Sequence, residues 1–188
     1  MTHNITLPMT RFKTAALSAG DSVTLSGVIY TARDAAHLKL VTLIAAGEPL
    51  PFPIEDSTIY YVGPAPARPG EVIGSAGPTT SYRMDSYSPE LLRLGHRAMI
   101  GKGERSDEVI AAMIEAGAVY LGAIGGAGAL LAGCVVESEV IAFPELGAEA
   151  IRRLIVRDFP AQVVIDSRGG NLYRDGRAAY LASLDTGA

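Results

Sequence analysis

The first third of the chain alternates between strand-like and helix-like patterns of apolar residues. Residues 23–32 and 58–65 are rich in β-branched and aromatic side chains and are bounded by Gly and Pro, which is typical of β-strands. Between them, apolar residues at helical spacing predict a helix over about 35–46, with Asp34 as its cap. The segment 48–56 contains too many prolines for either element and is predicted to be a loop.

The remainder of the chain alternates helices and strands. Ser88 begins a sequence of cap, proline and acid that predicts a short helix ending at Gly95. Ser106 opens a second helix, which Gly117 ends. A buried strand that ends in a loop is predicted over 98–103, further strands at 119–124, 154–159 and 161–166, and a further short helix at about 148–153. A β-rich N-terminal part followed by alternating elements predicts a layered α/β fold, in one domain that covers residues 1–188.

The composition excludes several classes of protein. Hydrophobic residues make up 48% of the chain and charged residues 19%, which indicates a globular protein with a buried core. The net charge of -4 argues against a nucleic-acid surface, so an anionic substrate has to be met by locally placed Arg and Lys. Cys134 is the single cysteine, which excludes an internal disulfide and favours a reducing, cytoplasmic setting. Because an iron–sulfur cluster needs several thiolates, this chain alone is not expected to hold one.

Residues 116–136 carry no charge and are long enough for a membrane span. The segment is rich in glycine, its flanks Glu115 and Glu137 are acidic, and it lacks an aromatic belt. We therefore interpret it as a buried strand, a tight glycine loop and a buried helix. The N-terminal residues lack the basic and apolar regions of a signal peptide, so no secretion and no membrane contact are expected.

Two glycine-rich stretches come close to phosphate-binding motifs without matching them. Residues 95–103 have one residue too many for a P-loop, and Gly103 stands where that loop needs a hydroxyl. Residues 122–128 follow a predicted strand, but their spacing is not that of the dinucleotide fingerprint. The second stretch is better interpreted as a close-packed turn.

Cationic and hydroxyl side chains stand at the junctions between predicted elements. Arg33 ends a strand, and Lys102 lies between two glycines after another strand. Thr79 and Arg83 are four residues apart and share a face if Pro78 begins a helical turn. Arg offers a planar fork to a carboxylate and Lys a point charge, so the four side chains could converge on a small dicarboxylate. The alternative is that they are ordinary solvated side chains and that Thr79 is a turn or capping hydroxyl.

Four other polar residues receive structural interpretations. Asp34 is interpreted as a helix cap and His37 as a structural hydrogen-bonding group. Asp85, two residues after Arg83, is expected to orient that guanidinium. Cys134 is interpreted as a small apolar side chain rather than a ligand.

Five motifs in order give a resemblance to a known family. They are SGVIYTARDAAH, GPTTSYRMDSY, IGKGERS, YLGAIGGAGALL and FPELGAEAI…VRDFPAQVVID…GN. From about Asp21 to Tyr173 the chain resembles the C-terminal domain of class I fumarate hydratases and the β subunits of two-chain relatives, including L(+)-tartrate dehydratase. The resemblance implies a swivelling β/β/α architecture. It also implies a partner α subunit that holds a cysteine-bound 4Fe-4S cluster, in a heterotetramer of two α and two β chains.

The resemblance also implies roles for the four junction residues. Arg33 corresponds to a ligand of a substrate carboxylate, and Thr79 to the base that takes the C3 proton. Arg83 and Lys102 correspond to further substrate contacts. Removal of that proton creates a doubly charged aci-carboxylate, which positive groups stabilise, and a threonine base needs the same cations to stabilise its alkoxide. Iron bound by the partner can act as the Lewis acid for the departing hydroxyl.

Two departures from the family pattern stand beside this match. Leu38 replaces a residue that is commonly basic, and the stretch from Arg83 to Lys102 is one residue shorter than in fumarases. The implied activity is the reversible hydration of fumarate to L-malate, and dehydration of L-tartrate is the alternative. A non-catalytic anion-binding or assembly domain is the rival of another class.

Overall fold

The computed structural model describes residues 1–124, 126–176, 178 and 180–182. The strands are β1 (Thr2–Thr6), β2 (Ser22–Thr31), β3 (Thr58–Tyr60), β4 (Ala98–Gly101), β5 (Val119–Gly122), β6 (Val135–Ala142) and β7 (Ile151–Ile165). The helices are α1 (Arg11–Ala15), α2 (Asp34–Ala46), α3 (Ser88–Arg93), α4 (Asp107–Ala116) and α5 (Gly128–Gly133). Two 3-10 segments, Ser81–Met84 and Pro144–Glu149, and a π-helical turn, Leu172–Gly176, complete the described elements. The protein therefore has the predicted α/β fold.

The strands form one sheet that closes on itself. β2, β3, β4 and β5 lie side by side in parallel, and β1 adds a further parallel pairing along the first half of β2. The long strand β7 runs antiparallel to both β2 and β5. Strand β6 pairs with residues 151–156 of β7, on the edge that further along pairs with β5. The ring of strands β2–β3–β4–β5–β7 thus returns to β2, so the parallel strands face an antiparallel layer.

Alternate residues of the parallel strands pack into two separate cores. Tyr60 and Ile100 point into the core that the parallel strands share with β1 and β7. Their neighbours Ile59 and Met99 point into the second core, beneath α2, α3 and α4. Because side chains alternate along a strand, one buried stretch supplies both cores. The order of layers is antiparallel strands, parallel strands and helices, in agreement with the β/β/α arrangement that the resemblance implies.

Helix α4 begins and ends as predicted. The Ser106 hydroxyl accepts a hydrogen bond from the Val109 N–H, and Gly117 adopts the left-handed conformation (φ 68°) that terminates the helix. Helix α2 differs from its prediction, because Asp34 is its first residue and the Arg33 side chain makes no cap bond. The interpretation of Asp34 as the cap is wrong, since its carboxylate is engaged elsewhere.

The largest error in the predicted elements concerns residues 144–166. The helix expected at 148–153 is wrong, because a 3-10 segment ends at Glu149 and the chain is extended from Ile151. The two strands expected beyond it are one strand, β7, which passes through Pro160. On one edge of β7, residues 151–156 pair with β6 and residues 162–165 pair with β5. Pro160 lies between these two stretches, so its missing N–H removes no hydrogen bond to β5 or β6.

The uncharged stretch 116–136 contains a strand, a turn and a short helix in the expected order, although Gly125 of the turn lies outside the described residues. Helix α5 is less buried than expected, because Leu130 is 61% exposed while Leu131 is buried. Among the described residues, no helix is long and apolar enough to span a bilayer.

Candidate functional site

The carboxyl ends of three adjacent parallel strands bring the predicted site segments to one edge of the sheet. Thr31 pairs with Tyr60, and Tyr60 pairs with Ile100, so β2, β3 and β4 end at the same level. Arg33 lies two residues after Thr31, and Lys102 lies two residues after Ile100. Ligand sites of parallel α/β sheets lie at such edges, because loops from neighbouring strands meet there.

Arg33 lies in a tight place between the end of β3 and the β6–β7 connection. Its Nη2 is 3.3 Å from Oε1 of Glu149, and its Nε is 3.8 Å from Oδ1 of Asp34. Its guanidinium packs against Gly63, where an added Cβ would approach Nη1 to 2.8 Å. The other carboxylate oxygen of Glu149 accepts the Ala35 N–H at 3.1 Å. The absence of a side chain at position 63 is therefore what makes room for the guanidinium.

Arg83 reaches the same carboxylate from a different segment. Its Nη2 donates a 2.5 Å hydrogen bond to Oδ2 of Asp34, and its side chain is 40% exposed. Asp34 therefore brings the guanidinium groups of Arg33 and Arg83 together. The expectation that Asp85 orients Arg83 is wrong, because Asp85 accepts its hydrogen bond from Arg105 at 2.7 Å.

Thr79 and Lys102 are connected through the backbone. The Thr79 N–H donates to the Tyr61 carbonyl at 2.7 Å, and the next residue, Thr80, forms a parallel bridge with Lys102. The Ser81 N–H donates to the Lys102 carbonyl at 2.9 Å. The segment thus lies between the extensions of β3 and β4, with the Thr79 side chain partly buried and the Lys102 side chain exposed.

The helical turn expected at Pro78 is absent, because the 3-10 segment begins only at Ser81. Thr79 and Arg83 therefore do not share a helical face as predicted. Thr79 lies in the extended part of the segment, which contacts the extensions of β3 and β4, and Arg83 lies in its 3-10 part and contacts Asp34. All four predicted site residues lie at this edge of the sheet, and their roles toward a substrate stay predictions.

Arg105 is a buried residue beneath this edge to which the sequence reading gave no role. Its side chain is 0% exposed and donates to the Asp85 carboxylate and to the Ser88 hydroxyl, each at 2.7 Å. Its guanidinium lies 5.4 Å and 5.3 Å from the ring centres of Tyr61 and Tyr120. Burial works to lower the pKa of this guanidinium, but the interactions with Tyr61 and Asp85 outweigh it and raise that pKa. Arg105 lies in the IGKGERS motif, but its position there does not distinguish a buried Arg from a solvated one.

Two histidines are buried as neutral side chains, His37 beside Arg33 and His96 before the beginning of β4. The Nδ1 of His37 donates to the Arg33 carbonyl at 2.9 Å, and burial lowers the pKa of His37 to about 4. The Nδ1 of His96 lies 2.9 Å from the Ser57 hydroxyl, and burial lowers the pKa of His96 to about 3. His37 thus makes the kind of structural hydrogen bond that was predicted for it, and it fixes the backbone at Arg33.

A family model described as the fumarase C-terminus matches residues 2–176 of this chain. The chain belongs to the fumarase C-terminus family. Among its relatives, the anaerobic class I fumarate hydratase of Escherichia coli is 46% identical over 155 residues, which are 81% of this chain and 28% of that enzyme. A protein of Methanocaldococcus jannaschii named as the putative β subunit of L(+)-tartrate dehydratase is 41% identical over 165 residues, which are 85% of each chain.

The relatives differ in how much of their length this fumarase C-terminus chain covers. The chain spans 28% of the Escherichia coli enzyme, and 34% of a protein of Geobacillus stearothermophilus named as a putative class I fumarate hydratase, to which it is 36% identical. It spans 85% of the Methanocaldococcus relative, whose name describes a subunit. The family members therefore include both long single chains and a chain of this size. The names of these relatives all describe hydro-lyases.

The residues of this fumarase C-terminus chain do not fit an iron–sulfur cluster. Within the described ranges, no three His, Cys, Asp or Glu side chains are grouped so as to hold a metal ion. Cys134 follows α5, where its Sγ lies 3.6 Å from the Leu130 carbonyl, and burial raises the pKa of its thiol. A 4Fe-4S cluster requires several thiolates, and one partly buried thiol beside a backbone carbonyl does not supply them.

Proposed function

We propose that this chain is the β subunit of a two-chain hydro-lyase that interconverts fumarate and L-malate. The single observation that carries the proposal is the Asp34 carboxylate, which holds Arg33 and Arg83 together at the edge where Lys102 and Thr79 also lie. Arg33, Arg83 and Lys102 come from three segments and outnumber the two carboxylates beside them, Asp34 and Glu149, which supports a local site for an anion in a chain of net charge -4.

The two guanidinium groups and the ammonium group suit a four-carbon dicarboxylate. Each Arg presents a planar fork that can bind one carboxylate through two hydrogen bonds, and Lys102 adds an exposed point charge. Arg33 is held on both sides, by Glu149 and by Gly63, so it is oriented before a substrate arrives. Such preorganisation favours binding, because less side-chain entropy is lost.

The proposed chemistry begins at the Thr79 hydroxyl. As an alkoxide, Thr79 Oγ1 takes a proton from C3 of L-malate, and the electron pair of the broken C–H bond moves onto the adjacent carboxylate. In this proposal Arg33, Arg83 and Lys102 stabilise the resulting doubly charged aci-carboxylate, and their positive charge also favours the alkoxide over the neutral hydroxyl. In the reverse direction, the Thr79 hydroxyl returns that proton to C3 as fumarate is hydrated.

The partner in this proposal is an α subunit, in a cytoplasmic assembly of two α and two β chains. That subunit would hold the 4Fe-4S cluster, which would supply a Lewis acid for the loss of the C2 hydroxyl. The match to a subunit-sized relative over 85% of both chains supports a separate β chain. The same relative supports L(+)-tartrate as the alternative substrate, since its name carries that activity.

The proposal is tested by co-expressing this chain with candidate cluster-bearing α subunits under anaerobic conditions. Malate-to-fumarate and tartrate-to-oxaloacetate activities are measured for the pair and for each chain alone. The proposal predicts fumarate formation by the iron-loaded pair and none by either chain alone. A folded, iron-loaded pair that dehydrates neither substrate would favour a non-catalytic anion-binding or assembly role. A kcat/KM that is greater for tartrate than for malate would favour the alternative.

A further inference from the structure

Arg105 is a charged side chain in the helix-facing core, and its contacts extend to both segments that carry predicted site residues. Asp85 lies at the end of the 79–85 segment, and its Oδ1 accepts from Arg105 Nε at 2.7 Å. The other oxygen of the same carboxylate accepts the Ser106 N–H at 2.7 Å, at the beginning of α4. The Arg105–Asp85 pair therefore ties the 79–85 segment to the 102–106 segment.

The residues Tyr61 and Tyr120, whose rings pack beside Arg105, also contact the two segments. Tyr61 packs 5.4 Å from the guanidinium, and its carbonyl accepts the Thr79 N–H. Tyr120 packs at 5.3 Å, and its hydroxyl lies 2.9 Å from the Ser81 hydroxyl. The Tyr120 hydroxyl also donates to the Gly103 carbonyl at 2.9 Å. One guanidinium thus packs against both Tyr61, whose backbone carbonyl holds the chain at Thr79, and Tyr120, whose hydroxyl contacts Ser81 and Gly103.

We propose that Arg105 is a positioning residue, which holds segment 79–85 against segment 102–106 and so fixes the places of Thr79 and Lys102. A buried ion pair is a weak source of stability, because desolvation offsets the attraction between the charges. A planar group with several fixed donors, however, can hold a carboxylate, a hydroxyl and two rings in one arrangement. A lysine at position 105 keeps the positive charge but lacks the planar group. The Arg105→Lys variant therefore distinguishes the contribution of charge from that of the guanidinium geometry.

The first test needs no substrate and no partner. Amide hydrogen exchange is measured by NMR in the full chain and in Arg105→Lys, at the N–H groups of Thr79, Ser81 and Ser106. The proposal predicts exchange at least about tenfold faster at all three, because the acceptors Tyr61 and Asp85 contact Arg105 and the acceptor Lys102 lies in the segment that Arg105 joins to 79–85. The Val163 N–H, which donates to the Asp21 carbonyl at 2.8 Å, lies in the buried part of β7 between β2 and β5, so it reports global unfolding and should exchange unchanged.

Arg97→Lys is the matched control variant. Arg97 is also a mostly buried arginine in an ion pair, but it contacts Asp56 and the Ala116 carbonyl rather than the two segments. It should leave the exchange of Thr79, Ser81 and Ser106 unchanged. Equal exchange in Arg105→Lys and the parent protein would overturn the proposal. If Arg105→Lys does not fold, Ser88→Ala removes one of its hydrogen bonds, and unchanged exchange in that variant would overturn the proposal instead.

The second test rests on the proposed function. In an active pair, Arg105→Lys should lower kcat by at least about tenfold, because Thr79 loses its orientation, and should raise KM by less, because Lys102 is displaced while Arg33 keeps its contacts with Asp34 and Glu149. A loss confined to KM would contradict the positioning role. If the parent pair is inactive, the proposed function fails while the exchange experiment still decides the role of Arg105.

Discussion

Nη2 of Arg83 donates a 2.5 Å hydrogen bond to the carboxylate of Asp34, the first residue of α2. The other oxygen of that carboxylate lies 3.8 Å from Nε of Arg33, so one acid links cations from two separate segments. An acid in the first turn of a helix is also favoured by the helix dipole. The relationship makes the arrangement of the two guanidinium groups testable by single substitutions.

Arg83→Lys should raise the KM for malate by about tenfold with a smaller change in kcat. A lysine keeps the charge but cannot contact Asp34 and grip a carboxylate through a planar fork at the same time. Steady-state kinetics of the reconstituted pair measure the change. Arg93→Lys is the control, because Arg93 is exposed and pairs with Glu90 on its own helix. An unchanged KM in Arg83→Lys would remove Arg83 from the binding site.

Gly63→Ala should displace the Arg33 guanidinium and raise KM by about tenfold. The added methyl group would lie 2.8 Å from Nη1 and 3.1 Å from Cδ of Arg33, both closer than non-bonded atoms allow. Gly133→Ala is the matched control, since a Cβ at position 133 meets nothing within 4 Å. Thermal unfolding of both variants shows whether the folds are equally stable. Equal KM values for the two variants would contradict the assigned position of Arg33.

The elements with local signals were predictable from the sequence. Helix α4 has a capping serine, two acids in its first turn and a terminal glycine, and all of these features act within the helix itself. In the antiparallel part, β6 was missed and β7 was predicted as two strands, because the signals are non-local. Strand β6 has a single buried residue and no continuous apolar run, and β7 contains a proline that suggests a break. Its continuity depends on pairing with β2, a long way along the chain.

In the site, too, positions set by local sequence were predicted, whereas contacts between distant segments were not. Arg33 and Lys102 follow strands, so their place at one edge follows from the parallel order of those strands. The partner of Arg83 was predicted wrongly, because Asp85 is near in sequence whereas Asp34 is near in space. Arg105 had no sequence signal that separates it from a solvated side chain, since its burial depends on Tyr61 and Tyr120 from other strands.

The two buried histidines predict how stability depends on pH. The pKa values of His37 and His96 are lowered by burial to about 4 and about 3, whereas both are near 6.5 when unfolded. The unfolded chain therefore binds more protons below pH 6.5, so the free energy of unfolding should fall as pH decreases from there. The fall should continue to about pH 4 for His37 and about pH 3 for His96.

Urea unfolding at pH 7 and pH 4 measures this dependence. His96→Gln keeps a polar partner for Ser57 but does not titrate, so it should lose less stability between the two pH values. The difference should be on the order of 3 kcal/mol, from the lowered pKa and about 1.4 kcal/mol for each pH unit. The same pH dependence in the variant and the parent protein would show that His96 is not buried as a neutral group.

Thr79 is the residue on which the proposed chemistry depends most directly. The decisive measurement is kcat for malate in the reconstituted pair, compared among the parent protein, Thr79→Ser and Thr79→Ala. The serine variant keeps a hydroxyl and should retain most of the activity, whereas the alanine variant should lose at least about a hundredfold in kcat with KM and folding little changed. A Thr79→Ala pair with the kcat of the parent protein would show that the C3 proton is taken by another group.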